Sequence, residues 1–197
     1  MTSDPLDVIT TEAARRLLKS ALDRFSNVGF HAATTREISQ GAGMSPAALY
    51  VHFSSKEEML FRLSHIGYES VLDTINNIGL DRPDPKTQLK ELVTRLTIWH
   101  CQHHALGRVV HYEFDCLTPD HQSELSTLRR TVQEVVEGVI RSGISVGEFE
   151  ADDVRDASRA IIVLCVDVVR WYRPGHRLTH NALSKTYADL AYRMLRP

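Results

Sequence analysis

The stretch TTREISQGAGMSPAALYVHFSSKEE, residues 34–58, carries the clearest structural signals in the chain. Thr34 and Glu37 have the spacing of a capping box, in which two residues satisfy each other's backbone N–H groups at the start of a helix. Gly41 and Gly43 then allow the backbone to turn sharply, because glycine adopts positive φ values at little cost. This half of the stretch predicts a short helix followed by a tight turn.

The second half of the stretch contains two further helix starts. Ser45 can cap a helix, and Pro46 can occupy its first turn, where the missing N–H of proline removes no hydrogen bond. Ser55 and Glu58 repeat the capping-box spacing and predict the start of a longer helix. Two short helices joined by a tight turn form the helix-turn-helix motif, whose second helix enters the major groove of DNA.

The same residues resemble a known family signature. Ala47–Phe53 and Ser55–Leu60 resemble the LYxHFxSKEEL motif of the TetR-family transcriptional regulators. The upstream part of that pattern is matched by Phe25, Gly29, Phe30 and Thr34–Ile38. The resemblance covers residues 13–62, and it implies a ligand-responsive, DNA-binding regulator, usually a repressor, that acts as a homodimer on a palindromic double-stranded operator.

A helix that reads DNA needs small side chains towards the base edges and hydrogen-bond donors towards the flanking phosphates. Arg36 is the candidate for a direct base or minor-groove contact, and Lys56 is a candidate for a phosphate contact. The second helix is poor in Arg, Asn and Gln, so contacts to thymine methyl groups and DNA shape are expected to carry more of the specificity. The predicted DNA-binding residues are Thr34, Thr35, Arg36, Ser45, Pro46, Ala47, Ala48, Tyr50, His52 and Lys56.

The composition is that of an ordinary globular protein. The 197 residues are 43% hydrophobic and 24% charged, with a formal net charge of −2, so any positive surface for DNA must be local. Three widely spaced cysteines indicate free thiols rather than a disulfide framework. The sequence shows neither a signal peptide nor an apolar run long enough to span a membrane. We therefore expect a cytoplasmic protein.

Hydrophobic residues recur with helical spacing along the chain, and this predicts an all-α fold of about nine helices. We expect a three-helix DNA-binding head in residues 1–62 and an effector-binding and dimerisation domain in residues 63–197. A linker is predicted over residues 79–85, which contain two prolines. The predicted helices cover residues 11–28, 35–42, 46–51, 55–77, 86–103, 105–116, 119–142, 152–172 and 179–195.

The last two predicted helices have the pattern of a dimer interface, and the family resemblance implies a four-helix bundle built from them. The last helix carries an apolar stripe, and the helix before it is apolar nearly all round, so it must be covered on both sides. A core helix inside a single subunit remains the alternative. The stripe is formed by Leu183, Tyr187, Leu190 and Met194.

The C-terminal part also suggests an effector. Residues 169–179, VRWYRPGHRLT, resemble the end of actinobacterial TetR-type regulators of lipid and sterol-derived acyl-CoA breakdown. The implied effector is a small hydrophobic or acyl-CoA-type molecule, although the segment is also consistent with an ordinary helix end. A carboxylate inside an apolar helix, Asp167, needs a partner such as Arg95, Arg108 or a polar effector atom, unless it lies at the dimer edge in contact with water. The predicted ligand-binding residues are Trp99, His103, Tyr112, Phe114, Asp167 and Trp171.

Three other functions remain open from the sequence. His100 and His104 have the i, i+4 spacing that can share a metal ion on a helix, so a metal-sensing regulator is one alternative, although the sequence fixes no third ligand. A helical interaction protein that does not bind DNA is the second. An enzyme is disfavoured, because neither a GxSxG motif nor a glycine-rich phosphate loop is present. No cofactor is expected.

Overall fold

The computed structural model describes residues 4–76, 84–173, 175 and 177–196, and these residues form helices and connecting turns without a β-strand. The all-α prediction is confirmed. Two short 3-10 helices, Pro5–Val8 and Phe114–Cys116, accompany the α-helices. The α-helices are α1 (Glu12–Val28), α2 (Thr35–Gly41), α3 (Pro46–His52), α4 (Lys56–Asn76), α5 (Pro85–Gln102), α6 (His104–Tyr112), α7 (Pro119–Ser145), α8 (Val154–Val166), α9 (Val168–Trp171) and α10 (His180–Leu195).

The helix predicted over residues 152–172 is wrong as a continuous element, because it is divided between α8 and α9. The division falls at Asp167, whose carboxylate turns to Arg170 with an Nε–Oδ1 distance of 3.0 Å. Arg170 is a partner that was not expected from the sequence. Arg95, one of the expected partners, pairs with Glu91 at 2.7 Å, one helical turn away on α5.

Two other boundaries differ from the prediction. The helix predicted over residues 105–116 ends at Tyr112 and is followed by the 3-10 turn Phe114–Cys116. The predicted linker lies outside the described residues up to residue 83. Asp84 then accepts hydrogen bonds from backbone N–H groups of the first turn of α5, and Pro85 begins that helix. Proline is tolerated there because this turn has no intrahelical acceptor for its N–H.

The chain divides into two compact units, which we call the first unit (residues 1–70 and 105–126) and the second unit (residues 71–104 and 127–197). In the first unit, α1 packs against α2 and α3. The apolar stripe of α1 supplies most of this core, and the inward residues of the two short helices complete it. These fully buried side chains are Leu17, Leu18, Ala21, Phe25, Ile38 and Leu49.

The second unit is built around α5. This helix packs along α10 and also contacts α8 and α9. Its buried side chains include Leu89, Leu92, Val93 and Leu96, and α10 contributes Ala188 and Ala191. Small residues on α10 allow the two helix axes to approach closely. Among the described helices, none has the length and apolar character needed to cross a membrane.

Candidate nucleic-acid interface and effector region

The start of α2 is fixed by the predicted capping box. The Thr34 hydroxyl accepts a hydrogen bond from the Glu37 backbone N–H at 3.2 Å, and Glu37 Oε2 accepts one from the Thr34 N–H at 3.0 Å. Arg24 of α1 donates to the other carboxylate oxygen at 2.7 Å. Hydrogen bonds from Thr34, together with the Arg24 charge, hold the pKa of the Glu37 carboxyl below its ordinary value. The first turn of α2 is therefore anchored to both its cap and α1.

The turn between α2 and α3 depends on two glycines for different reasons. Gly43 has φ = +67°, which an L side chain rarely adopts, and its N–H donates to the Gln40 carbonyl at 2.9 Å. Gly41 is the last residue of α2, and a Cβ there would collide with the Ser20 hydroxyl of α1. Gly43 therefore makes the turn, whereas Gly41 permits close packing of α2 on α1.

The helix α3 has one buried face and one exposed face. The Ser45 hydroxyl caps it by accepting from the Ala48 N–H at 3.2 Å. Leu49 and Phe53 are buried. The side chain of Tyr50 is 55% exposed on the opposite face. Ser45, Pro46 and Ala47 are exposed as well, and Ala48 and His52 are half-buried. The predicted reading surface is thus accessible to a partner.

The outer faces of α2 and α3 meet at their hydroxyl groups. The hydroxyl oxygens of Thr35 and Tyr50 lie 3.5 Å apart. Arg36 is exposed beside them. The only carboxylate of these two helices, Glu37, is already engaged by Thr34 and Arg24. The surface therefore presents hydroxyl and guanidinium donors without a free carboxylate that would repel phosphates.

Lys56 has a structural task that the sequence did not reveal. Its ammonium group donates to the backbone carbonyls of Phe30 at 2.6 Å and Ala33 at 2.8 Å. The same nitrogen lies 4.2 Å from the centre of the Phe30 ring, a cation–π geometry. An ammonium has three N–H donors, and these two bonds use two of them. Lys56 thus holds the loop that precedes α2, and its phosphate contact stays a prediction.

The cap of α4 differs slightly from the prediction. The Ser55 hydroxyl accepts from the Glu58 N–H at 3.0 Å, as the capping-box spacing requires. The Glu58 carboxylate, however, binds the preceding residue, accepting from the N–H and hydroxyl of Ser54 at 2.5 and 2.6 Å. In a standard capping box one residue provides both the hydroxyl acceptor and the backbone N–H donor. Here Ser55 provides the acceptor and Ser54 provides the donor.

The six predicted ligand-binding residues are divided between the two units. Tyr112, at the end of α6, and Phe114, in the following 3-10 turn, belong to the first unit. Trp99, His103, Asp167 and Trp171 belong to the second unit, where the ring centres of Trp99 and His103 lie 5.2 Å apart. Their role in binding an effector stays a prediction.

The end of α9 forms a compact apolar cluster. Trp171 packs against a buried group of residues from α5, α9 and α10, together with Tyr172. Arg173 follows directly, and its guanidinium donates to the Tyr172 carbonyl at 2.7 Å. Of the segment that resembles the acyl-CoA regulators, residues 174 and 176 lie outside the described part of the chain. The buried members of the cluster are Cys101, Val168, Val169, Tyr172 and Leu183.

The two histidines of the metal hypothesis differ in burial. His100 is buried, its Nδ1 lies 2.7 Å from the Leu96 carbonyl oxygen, and burial lowers its pKa to about 4. Burial also lowers the pKa of His104, and the nearby Arg173 charge adds to the shift. Across the residues that the structure describes, no three His, Cys, Asp or Glu side chains gather in a metal-binding group. The geometry therefore gives the metal hypothesis no third ligand.

The apolar stripe of α10 is covered at its start and exposed towards its end. Leu183 and Ala191 are buried inside the second unit. Leu190 is 40% exposed and Met194 is 50% exposed, and Val163 on α8 is 63% exposed. The four stripe residues share one helix face, as their spacing predicts. This face is buried at Leu183 and exposed at Leu190 and Met194.

Two family models match the chain. The model of the bacterial regulatory proteins of the tetR family matches residues 17–63, and the model of the tetracyclin repressor-like C-terminal domain matches residues 82–195. The second match alone spans more than half of the chain. The chain belongs to the TetR family.

Individual TetR-family proteins are similar to this chain over nearly its whole length. The transcriptional repressor KstR2 of Rhodococcus jostii is 30% identical over 194 residues, which cover 96% of this chain and 95% of that protein. A crystal structure of a tetR-family regulatory protein from Rhodococcus RHA1 is 33% identical, with a TM-score of 0.91 over 95% of this chain and 98% of that one. The ketosteroid transcriptional regulator KstR2 of Mycobacterium tuberculosis is 27% identical, with a TM-score of 0.86 over 96% and 97%.

These similarities confirm the predicted family and favour a DNA-binding transcriptional regulator over the metal-sensing and interaction-module alternatives. The named relatives are regulators rather than enzymes. One strongly exposed residue of α3 was not among the predicted DNA-binding residues. Val51 is 80% exposed, and its position four residues after Ala47 could have indicated that both share the outer face.

Proposed function

We propose that this TetR-family protein is a cytoplasmic repressor that binds a palindromic operator as a homodimer and is released by a small hydrophobic or acyl-CoA-type effector. In this proposal residues 1–62 bind DNA, and residues 63–197 bind the effector and form the dimer. The observation that carries the proposal is the exposed outer face of a helix-turn-helix whose inner face is locked in the core. The proposed DNA contacts are Thr34, Thr35, Arg36, Ser45, Pro46, Ala47, Ala48, Tyr50, His52 and Lys56.

The charges of this surface support DNA as its partner. Binding to phosphates requires donors and positive charge, and unpaired carboxylates oppose it. The exposed Arg36 and the hydroxyls of Thr35 and Tyr50 supply donors at the junction of α2 and α3. Glu37 is held by Arg24, so its charge is balanced within the protein.

DNA binding is tested by the affinity of the purified protein for the DNA that flanks its own gene, measured by fluorescence anisotropy over a range of salt concentrations. We expect tight binding to one palindrome at dimer stoichiometry, and at least tenfold weaker binding of the Arg36→Ala and Tyr50→Ala variants. Arg159→Ala is the matched control, since Arg159 is an exposed arginine of α8. Equally weak binding to every sequence would contradict the proposal.

A dimer is supported by the outward apolar residues Val163, Leu190 and Met194 of α8 and α10. Large apolar side chains grouped on exposed helix faces are typical of association surfaces. Two-fold symmetry would also place two recognition helices about 34–36 Å apart, the spacing of half-sites on one face of DNA. Leu190→Arg is expected to give monomers in sedimentation, whereas exchange of the exposed Lys185 of α10 for Glu leaves dimers. A dimeric Leu190→Arg variant would place the interface elsewhere.

The effector class rests on the similarity to KstR2, since the Mycobacterium tuberculosis KstR2 is a ketosteroid transcriptional regulator. We infer a coenzyme A thioester of a ring-containing acid, held by some or all of Trp99, His103, Tyr112, Phe114, Asp167 and Trp171. The probe is the coenzyme A thioester of a steroid-derived acid, added to the protein–DNA complex. Release by the thioester, but not by free coenzyme A or the free acid, is expected. Release by the free acid alone would overturn the thioester assignment.

Release would operate through a population shift. An effector that binds one arrangement of the subunits more tightly shifts the population towards that arrangement. Operator affinity can fall by no more than the ratio of the effector's affinities for the two arrangements. Coupling of about 1–3 kcal/mol corresponds to a change of roughly 5- to 150-fold. Because linkage is reciprocal, operator DNA must weaken effector binding by the same factor. Titration calorimetry measures this factor as the ratio of the effector affinities with and without DNA.

A further inference from the structure

The outer face of α3 lacks the side chains that usually read bases. Bidentate contacts to guanine and adenine come from Arg, Lys, Asn and Gln, and the sequence of α3, PAALYVH, contains none of them. Its exposed residues are Pro46, Ala47, Tyr50 and Val51. If this helix enters the groove, base discrimination by these four residues must come from a hydroxyl or from apolar contact.

Val51 is the unusual residue of this face. At 80%, its exposed fraction is the highest among the large apolar side chains that the structure describes. The core contacts of α3 are made by Leu49 and Phe53, which are buried. Helix propensity does not explain a valine here either, because β-branching restricts its χ1 angle and makes it a weaker helix former than alanine. Neither packing nor local conformation accounts for this side chain.

The major groove offers one apolar group, the C5-methyl of thymine. We propose that Val51 determines specificity by packing against a thymine methyl group in each half-site. The inference rests on the proposed DNA binding and adds the base and the atom that are read. Burying the valine methyls against this group removes apolar surface from water on both partners, and a cytosine at the same position would offer no methyl.

The residues around Val51 suit this contact. Ala47, one turn earlier on the same face, is exposed and small, so the helix backbone can approach the groove floor. Tyr50 is turned towards the start of α2, since its hydroxyl lies 3.5 Å from that of Thr35. Tyr50 is thus placed for the DNA backbone, and Val51 is the larger apolar group left for the bases.

The test removes single methyl groups from the DNA. Each thymine of the bound half-site is replaced in turn by deoxyuridine, which changes only the C5-methyl. For the wild type we expect one position at which the replacement weakens binding by about threefold to fivefold, the effect of one buried methyl group. The Val51→Ala variant should bind thymine and uracil equally at that position, and remain sensitive to base changes elsewhere.

Two controls complete the design. Val51→Thr keeps the branched shape but exchanges one methyl for a hydroxyl, and it should retain part of the preference for thymine, because its remaining methyl can still contact the thymine methyl. Thermal unfolding should be unchanged in both variants, because the side chain is exposed. The inference is overturned if uracil weakens binding of the wild type and Val51→Ala equally, or if no position responds. Absence of any specific DNA binding by the wild type would instead overturn the proposed function, and this inference with it.

Discussion

The helix-turn-helix of the first unit and the α5–α10 pair of the second unit are both helical, but different interactions define their surfaces. In the helix-turn-helix, caps and turns formed by residues two to five positions apart fix each helix, and the outer face follows from them. In the second unit, the exposed or buried state of an α10 residue depends on packing against α5, roughly a hundred residues earlier. Short-range signals thus define much of the outer face of the helix-turn-helix, whereas long-range packing defines which residues of α10 are exposed.

The largest expected effect is a difference in stability between substitutions on the buried and the exposed face of α3. Leu49→Ala removes a fully buried side chain and should lower the free energy of unfolding by about 2–5 kcal/mol. Val51→Ala, two residues away on the exposed face, should change it by less than about 0.5 kcal/mol. Urea unfolding followed by circular dichroism, at one protein concentration, measures both. Similar losses in the two variants would show that α3 is not anchored by one face.

A pH titration tests burial in the second unit. The pKa of His100 is about 4 in the folded protein, because burial disfavours the charged imidazole, against an ordinary value of 6.5. Between these values the unfolded chain binds a proton that the folded chain does not, so stability should fall as pH decreases from 6.5 to 4 and this contribution should level off below 4. The full loss amounts to about 3 kcal/mol.

Comparison of variants isolates the His100 contribution. His100→Gln should remove much of the pH dependence in this window, measured as the free energy of unfolding at several pH values. His104→Gln is the matched control, since burial lowers the pKa of His104 as well but the residue is only half-buried. An unchanged pH dependence in His100→Gln would mean that the folded protein accommodates the imidazolium.

Lys56 provides an intermediate effect that links stability to DNA binding. Lys56→Met removes two hydrogen bonds to the carbonyls of Phe30 and Ala33, so stability should fall by about 1–2 kcal/mol. If the third N–H also binds a phosphate, the slope of log affinity against log salt should decrease by about 0.9. Lys19→Met is the control, because the Lys19 ammonium pairs with Asp4 on the surface. A lower stability with an unchanged salt slope would assign Lys56 to loop anchoring alone.

The sequence predicted most of the fold because its helix starts depend on neighbouring residues. Thr34 and Ser45 both cap the helices for which they were expected. The break at Asp167 was missed, since the flanking residues are uniformly apolar and carry no stop signal. Lys56 was interpreted only as a DNA contact, because its acceptors lie 23 and 26 residues away.

The candidate site was predictable to different extents in the two units. Exposure of Tyr50 and burial of Leu49 follow from helical spacing within one short segment. The division of the α10 stripe does not, because Leu183 and Leu190 have the same apolar character and differ only in whether another helix covers them. A sequence can show that a helix is apolar on a face, but the partner of that face depends on the rest of the fold.

The smallest expected effect comes from removing a threonine N-cap, either from α2 in the first unit or from α10 in the second unit. The Thr34 hydroxyl accepts from the Glu37 N–H, and the Thr179 hydroxyl accepts from the Ala182 N–H, both at 3.2 Å. Thr34→Ala and Thr179→Ala should each cost about 1 kcal/mol of stability, since each exposes one unsatisfied N–H. Only Thr34→Ala should also weaken operator binding, because its helix begins at the DNA surface. Thr34→Ser keeps the cap and should restore both stability and operator binding. A matching loss of DNA affinity in Thr179→Ala would show that the start of α10 is coupled to α3.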